Sequence, residues 1–190
     1  PDILAAVGAW RSERKARVPF IVGFAAETHE VVARARQKLV AKGADVNLRL
    51  TGGPSGGGRI ARKGCTPFML AADTADTAFM KLLRELGADP FTMNVDNCTT
   101  LMAAAGLGTR SADEEAGTED EAVEAVAYLI SLGVNLDAVS NFGDTAMHGA
   151  AFANFPKVVK LLDAKGAKIA VWNQKNKRGC HYSTICSMPN

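Results

Sequence analysis

Apolar residues recur at helical spacing in three stretches of the chain, and each stretch is followed by a glycine. The spacing i, i+3, i+4, i+7 puts such residues on one face of a helix, and a glycine just after it is typical of a helix end. The predicted faces comprise Phe79, Leu82, Leu83 and Leu86 before Gly87; Val123, Val126, Ala127 and Ile130 before Gly133; and Val158, Leu161 and Leu162 before Gly166. The pattern predicts three amphipathic helices, each of which needs a neighbouring element to cover its apolar face.

A short sequence motif of similar composition precedes each of these helices. It reads GCTPFMLAA at residues 64–72, NCTTLMAAA at residues 97–105 and GDTAMHGAA at residues 143–151. Thr66 and Thr99 are 33 residues apart, as are Gly133 and Gly166. Insertions at residues 51–59 and 108–121 account for the longer intervals. A fixed period of this length indicates a repeat protein built from stacked supersecondary units.

These words resemble the ankyrin repeat, whose pattern is a turn, T-P-L-H-x-A-A, a second helix with paired leucines, and G-A-D. The resemblance covers residues 43–178 and implies an all-α fold, an ankyrin-repeat solenoid of about three to four repeats with β-hairpin fingers. It also implies protein binding through the finger tips and first helices, with another protein of unknown identity as the partner. The positions of this chain that match such contacts are Asn94, Asp96, Asn141, Phe142, Phe152, Phe155 and Trp172.

The first part of the chain does not continue the repeat. The words PDILAAVG at residues 1–8, FIVGFAAET at residues 20–28 and KGAD at residues 42–45 resemble a fragment of phosphopantothenoylcysteine synthetase. That resemblance implies a short strand–helix segment. The rest of the enzyme is expected to be absent, so its ligase activity does not carry over. The chain is therefore expected to be a chimera of unrelated segments, natural or laboratory-made.

The repeat pattern also breaks near the other end, where CHYSTIC at residues 180–186 replaces the expected T-P-L continuation. The predicted domains are a strand–helix segment at residues 1–44, ankyrin repeats at 45–178 and an irregular tail at 179–190. Repeat arrays need capping units. We therefore expect Leu161, Leu162, Ile169 or their neighbours to be less covered than in an interior repeat, which favours self-association through a terminal repeat face.

Composition and charge are those of an ordinary soluble globular protein, with 47% hydrophobic residues, 22% charged residues and a net charge of +2. Residues 64–136 hold 3 Lys and Arg against 12 Asp and Glu, a net charge of −9, and basic blocks flank them. Such blocks can steer charged partners, although solvated faces are the simpler interpretation. No apolar run approaches the roughly 18 residues of a membrane span, and no clear nucleic-acid signal is present.

Known motifs for chemistry are missing from the sequence. It lacks G-x-S-x-G, H-E-x-x-H, G-x-G-x-x-G and C-x-x-C, so no catalytic residue, metal or cofactor is expected. The glycine-rich run at residues 52–59 lacks the Lys-Ser/Thr ending of a phosphate-binding loop, and we expect a flexible hairpin tip. Free thiols at Cys65 and Cys98, which we expect to be reduced, fit a reducing compartment and favour the cytoplasm.

Three interpretations of function remain open on the sequence alone. The leading one is a non-catalytic protein-binding module. The alternative is a small hydrolase of glycosidase or esterase type that uses the clustered carboxylates of residues 113–121. Acidic residues at the start of a helix also favour its dipole, which explains the cluster without chemistry. The third interpretation is a chimeric or library-derived chain without evolved function.

Overall fold

A computed structural model of the protein describes residues 43, 45–53, 60–109 and 117–169. Contacts divide the chain into two units, Pro1–Lys42 and Gly43–Asn190, and every described residue belongs to the second. The predicted N-terminal segment, apart from Gly43, and the predicted tail lie outside the described residues. So do residues 54–59 of the glycine-rich run and residues 113–116 of the acidic insertion. The predicted domain bounds therefore stay a prediction.

Six helices occur in the described part of the chain, and they form three consecutive helix pairs. The helices of a pair pack against each other. The described residues contain no β-strand, so this part of the fold is all-helical, as the sequence predicts. In chain order the helices are α1 (Pro67–Asp73), α2 (Thr77–Glu85), α3 (Thr100–Ala104), α4 (Glu119–Ser131), α5 (Ala146–Phe152) and α6 (Pro156–Ala164).

A threonine begins the first helix of each pair. The side-chain oxygens of Thr66, Thr99 and Thr145 each accept a hydrogen bond from the backbone N–H three residues later, at 3.3, 3.2 and 3.5 Å respectively. These N–H groups lie in the first turn of a helix, where no backbone carbonyl is available to them. The threonine of the repeated word therefore fixes where each first helix starts.

The pairs also pack against one another in chain order. Helix α1 contacts α3 and α3 contacts α5, while α2 contacts α4 and α4 contacts α6. Leu83, Leu129 and Leu162 of the three second helices are fully buried. Burial of a leucine side chain stabilises a fold by about 1.5–3 kcal/mol. Because these contacts run between pairs, each pair depends on its neighbour for much of its stability.

The buried face of α4 differs from the predicted one. Val126 is fully buried as expected, but Ala127 is exposed, and Val123 and Ile130 are half-buried. The residues buried in α4 are Ala122, Ala125, Val126 and Leu129. The prediction was wrong because two faces of this helix carry apolar residues at helical spacing. The face with two alanines lets neighbouring helices approach more closely.

At the last described pair the three named residues are covered as much as their counterparts in the interior pair. Leu162 is fully buried, as is Leu129 at the same position of the interior pair. Leu161 and Ile169 are half-buried, as are Tyr128 and Leu136 at the matching interior positions. Self-association through a terminal repeat face stays a prediction.

Candidate protein-interaction surface

Three loops lead into the first helices of the pairs, and each folds back on itself. Loop A comprises residues 45–53 and 60–65, loop B residues 87–98 and loop C residues 133–144. In loop A the N–H of Leu50 donates to the Cys65 carbonyl at 2.9 Å. In loop C the N–H of Ser140 donates to the Asp144 carbonyl at 2.8 Å. Loop B has one isolated antiparallel bridge, between residues 93 and 99, so the predicted β-hairpin fingers stay a prediction.

Hydrogen bonds also join successive loops. The Arg49 guanidinium of loop A donates to the carbonyl of Met93 in loop B at 2.8 Å. The N–H of Asn141 in loop C donates to the carbonyl of Asp96 in loop B at 2.9 Å. Loops A, B and C therefore form one connected row whose backbone is held in place before any partner binds.

Exposed apolar side chains follow this row. The exposed fractions are 43% for Met93, 47% for Val95, 50% for Val139 and 47% for Phe142. We call these four residues the loop edge. Apolar side chains grouped on an exposed surface are characteristic of interaction sites. A preformed backbone also reduces the entropy lost on binding.

Two cationic side chains lie at the loop A end of the loop edge. Arg49 is bonded to Met93, and the carbonyl of Lys63 accepts from the N–H of Val95 at 3.3 Å. Both side chains are exposed. Within the described ranges neither forms an ion pair, whereas Arg62 pairs with Asp73 at 3.1 Å. Two cations without an ion pair in the described ranges therefore lie next to loop B.

The structure places several of the predicted contact residues near the loop edge. Asn141 and Phe142 of loop C are exposed, and Asp96 of loop B is half-buried and bonded to loop C. Phe152, at the end of α5, is 63% exposed. Trp172 lies outside the described residues.

Two other predicted contact residues, Asn94 and Phe155, are buried. Asn94 donates from Nδ2 to the Ala61 carbonyl, and its Oδ1 accepts from two N–H groups of loop B. The Phe155 ring lies against Gly106 at the end of α3. Because both side chains are engaged inside the fold, they do not belong to the proposed contact surface.

Met93, Val95 and Val139 were not among the predicted contact residues. A signal was present, because each is an apolar residue in the turn between a helix-ending glycine and the next repeated word. A turn at that place has no helix face on which to bury a side chain. Apolar residues there are consequently candidates for exposure.

Burial governs the chemistry of the two described thiols. Cys65 and Cys98 are free and buried. Burial raises the pKa of the Cys65 thiol to about 11 and that of the Cys98 thiol to about 12, and the carboxylate of Asp96 adds to the rise for Cys98. Since the thiolate is the reactive form, neither group suits nucleophilic catalysis at neutral pH.

We expect both thiols to resist alkylation while the protein is folded. An unfolded thiol titrates near 9.0, so between pH 7 and pH 8 the folded protein holds about a hundredfold less thiolate at Cys65 and about a thousandfold less at Cys98. Iodoacetamide labelling, followed by mass spectrometry in a Cys180→Ser and Cys186→Ser background, should accelerate only when urea unfolds the repeats. Rapid labelling of the folded protein at neutral pH would contradict the burial.

The acidic side chains of the insertion that the structure describes form hydrogen bonds and an ion pair at the start of α4. Glu121 accepts from the N–H and hydroxyl of Thr118, and these hydrogen bonds lower the pKa of its carboxyl group. Glu119 accepts from the backbone N–H of Lys157 at 2.6 Å, and Asp120 pairs with the Lys157 ammonium group at 2.6 Å. These arrangements cap α4 and join it to α6. A carboxyl group with a lowered pKa is also unsuited to act as a general acid, so the hydrolase alternative is not favoured.

Metal-binding and membrane-spanning features are both missing from the described part of the chain. It holds no group of three or more His, Cys, Asp or Glu side chains arranged to hold a metal ion. None of the helices there is long and apolar enough to cross a membrane.

Paired helices with threonine caps, joined by loops that bond to one another, are consistent with ankyrin repeats. Residues 63–95 match the family model for the ankyrin repeat, and residues 117–162 match the model for ankyrin repeats in many copies. The chain therefore contains ankyrin repeats, which support a protein–protein interaction role.

The start of the chain has a different relationship. Residues 1–49 match the model for the C-terminal domain of the DNA/pantothenate metabolism flavoprotein. The match confirms the predicted resemblance of this segment, so the chain combines a segment similar to that domain with ankyrin repeats. No curated protein matches the chain.

Proposed function

We propose that this chain is a non-catalytic, ankyrin-type protein-binding module that holds another protein at the loop edge. The three described helix pairs stack as a solenoid, and loops A, B and C project from one side of it as fingers. Asn141 and Asp96 lie beside the loop edge and supply polar contacts, and Phe152 extends the surface toward the first helices.

The observation that carries the proposal is the exposure of four apolar side chains on loops whose backbones are already bonded to one another. An apolar side chain in a turn gains nothing from solvent exposure in the free protein. Its placement is useful when a partner covers it. Central apolar and aromatic side chains also contribute most to the affinity of typical interfaces.

Photo-crosslinking tests this surface even while the partner is unidentified. A photoreactive residue is placed at Val95, at Phe142 or at the control position Phe91, which is 54% exposed. Phe91 directly precedes Thr92 at the base of loop B, where its N–H is bonded to Asp89. We expect one protein to be captured from both Val95 and Phe142 and not from Phe91.

Affinity measurements on the captured protein complete the test. Phe142→Ser is expected to weaken its binding by about tenfold, since truncating a central interface residue typically costs more than 1 kcal/mol. Phe91→Ser should leave the affinity unchanged. Equal weakening by both substitutions would place the interface elsewhere. Turnover of an ester or glycoside that Glu119→Gln or Glu114→Gln abolishes would instead support the hydrolase alternative.

A further inference from the structure

We infer that the partner segment bound at the loop edge is a short linear stretch that carries apolar side chains and, at one end, a carboxylate that meets Arg49 and Lys63. This inference rests on the proposed function and names the chemistry of the partner.

Charge complementarity is the first argument. The loop A end of the loop edge carries two exposed cations, and neither has an acidic partner within the described residues. One guanidinium N–H of Arg49 is used on the Met93 carbonyl, which orients the group beside the apolar side chains of loop B. The other guanidinium N–H groups form no hydrogen bond or ion pair within the described residues, and a carboxylate would bind them as a charge-assisted pair.

The charge of loop B bears on where the partner's carboxylate binds. The Asp96 carboxylate has no ion pair within the described ranges. An acidic residue of the partner is therefore disfavoured beside Asp96 and favoured beside Arg49 and Lys63.

Dimensions set the length of the segment. Helices α1, α3 and α5 contact one another in series, and packed helices lie about 8–10 Å apart. The three loops in front of them therefore span about 20 Å. An extended chain rises about 3.3 Å per residue, so about six residues reach from loop A to loop C.

A displayed library of random peptides of about 12 residues provides the probe. Selected peptides are expected to share apolar residues next to Asp or Glu. Lys63→Glu should weaken their binding about threefold to tenfold, because one attractive pair becomes repulsive. Arg49→Glu should act in the same direction, but it also removes the bond to Met93. Lys63, whose side chain is exposed, is therefore the decisive site. The matched control is Lys160→Glu on α6, which changes the net charge equally and should leave binding unchanged.

The outcomes separate this inference from the proposed function. In one outcome the selected peptides depend on Val95 and Phe142 but contain no acidic residues and bind the Lys63→Glu variant as well as the original protein. That result would contradict the inferred partner chemistry and would still support the loop edge as a binding surface. Peptides indifferent to Val95→Ser and Phe142→Ser overturn both. If ultracentrifugation shows that the chain forms a dimer which Lys63→Glu dissociates, the occupant is a second copy, and the inference of a separate acidic partner fails. Selection of acidic–apolar peptides that depend on Lys63, Val95 and Phe142 supports it.

Discussion

Substitution of Gly106 by alanine is expected to lower the free energy of unfolding by about 2–5 kcal/mol, because two effects add at this position. Gly106 follows the end of α3 and has φ = 89°, a left-handed conformation that costs a residue with a Cβ about 1–2 kcal/mol. The new Cβ would also lie 2.6 Å from the Cβ of Ala153 and 3.2 Å from the Phe155 ring, on the neighbouring pair. Overpacking of this kind typically costs about 1–3 kcal/mol.

Gly133→Ala is the matched control for this prediction. Gly133 ends α4 with φ = 81°, but among the described residues nothing lies within 4 Å of its added Cβ. It should therefore lose only the conformational part, about 1–2 kcal/mol. Urea unfolding monitored by circular dichroism gives both values. If both variants lose the same free energy of unfolding, the contact of Gly106 with Ala153 and Phe155 relaxes without destabilising the protein.

Features of the fold that depend on local sequence were predictable. Thr66, Thr99 and Thr145 begin helices because each side chain bonds to an N–H only three residues away. Gly87 and Gly133 follow helix ends because a left-handed residue is least costly as glycine, and both have positive φ. Such interactions do not depend on the rest of the chain.

The buried face of α4 was not predictable in the same way. Val126 belongs to both apolar faces of this helix, and the choice between Ala125 and Ala127 depends on how closely α2 and α6 approach. Two polar contacts also join α4 to its neighbours, namely the Lys81–Glu124 ion pair to α2, at 3.3 Å, and the hydrogen bond from the N–H of Lys157 in α6 to Glu119. These contacts join residues about 40 positions apart, which no periodicity within one helix reveals.

The candidate site shows the same division between local and distant causes. Phe142 could be predicted to be exposed, because a turn has no apolar face to cover it. Asn94 occupies a turn position too, and the ankyrin resemblance implied that it would be a contact. It is buried because its amide reaches Ala61, a partner 33 residues earlier. That hydrogen bond forms only because loop B packs on loop A, and a local sequence pattern does not reveal it.

Asn94→Ala is expected to destabilise the protein by about 2–4 kcal/mol, since the Asn94 side chain forms one hydrogen bond to loop A and two within loop B. Its Nδ2 donates to the Ala61 carbonyl at 2.9 Å, and its Oδ1 accepts from the N–H groups of Asp96 and Cys98, each at 2.9 Å. A typical internal hydrogen bond contributes about 1 kcal/mol, and a buried group left without a partner costs about 1–3 kcal/mol.

Two further substitutions show whether the loss has this origin. Loop C uses Ser140 at the position of Asn94, and its Oγ accepts from the N–H groups of Phe142 and Asp144 at 3.2 and 3.1 Å. Asn94→Ser should therefore keep the two bonds within loop B, lose the bond to Ala61, and recover about half of the loss. Asn135→Ala removes an exposed amide that accepts one bond, from the N–H of Asp137, and should cost at most about 1 kcal/mol. The urea concentrations at the midpoints of unfolding rank the three variants by stability. If Asn94→Ser is no more stable than Asn94→Ala, the bonds within loop B do not support the turn, and the loop edge is held by the contacts between loops alone.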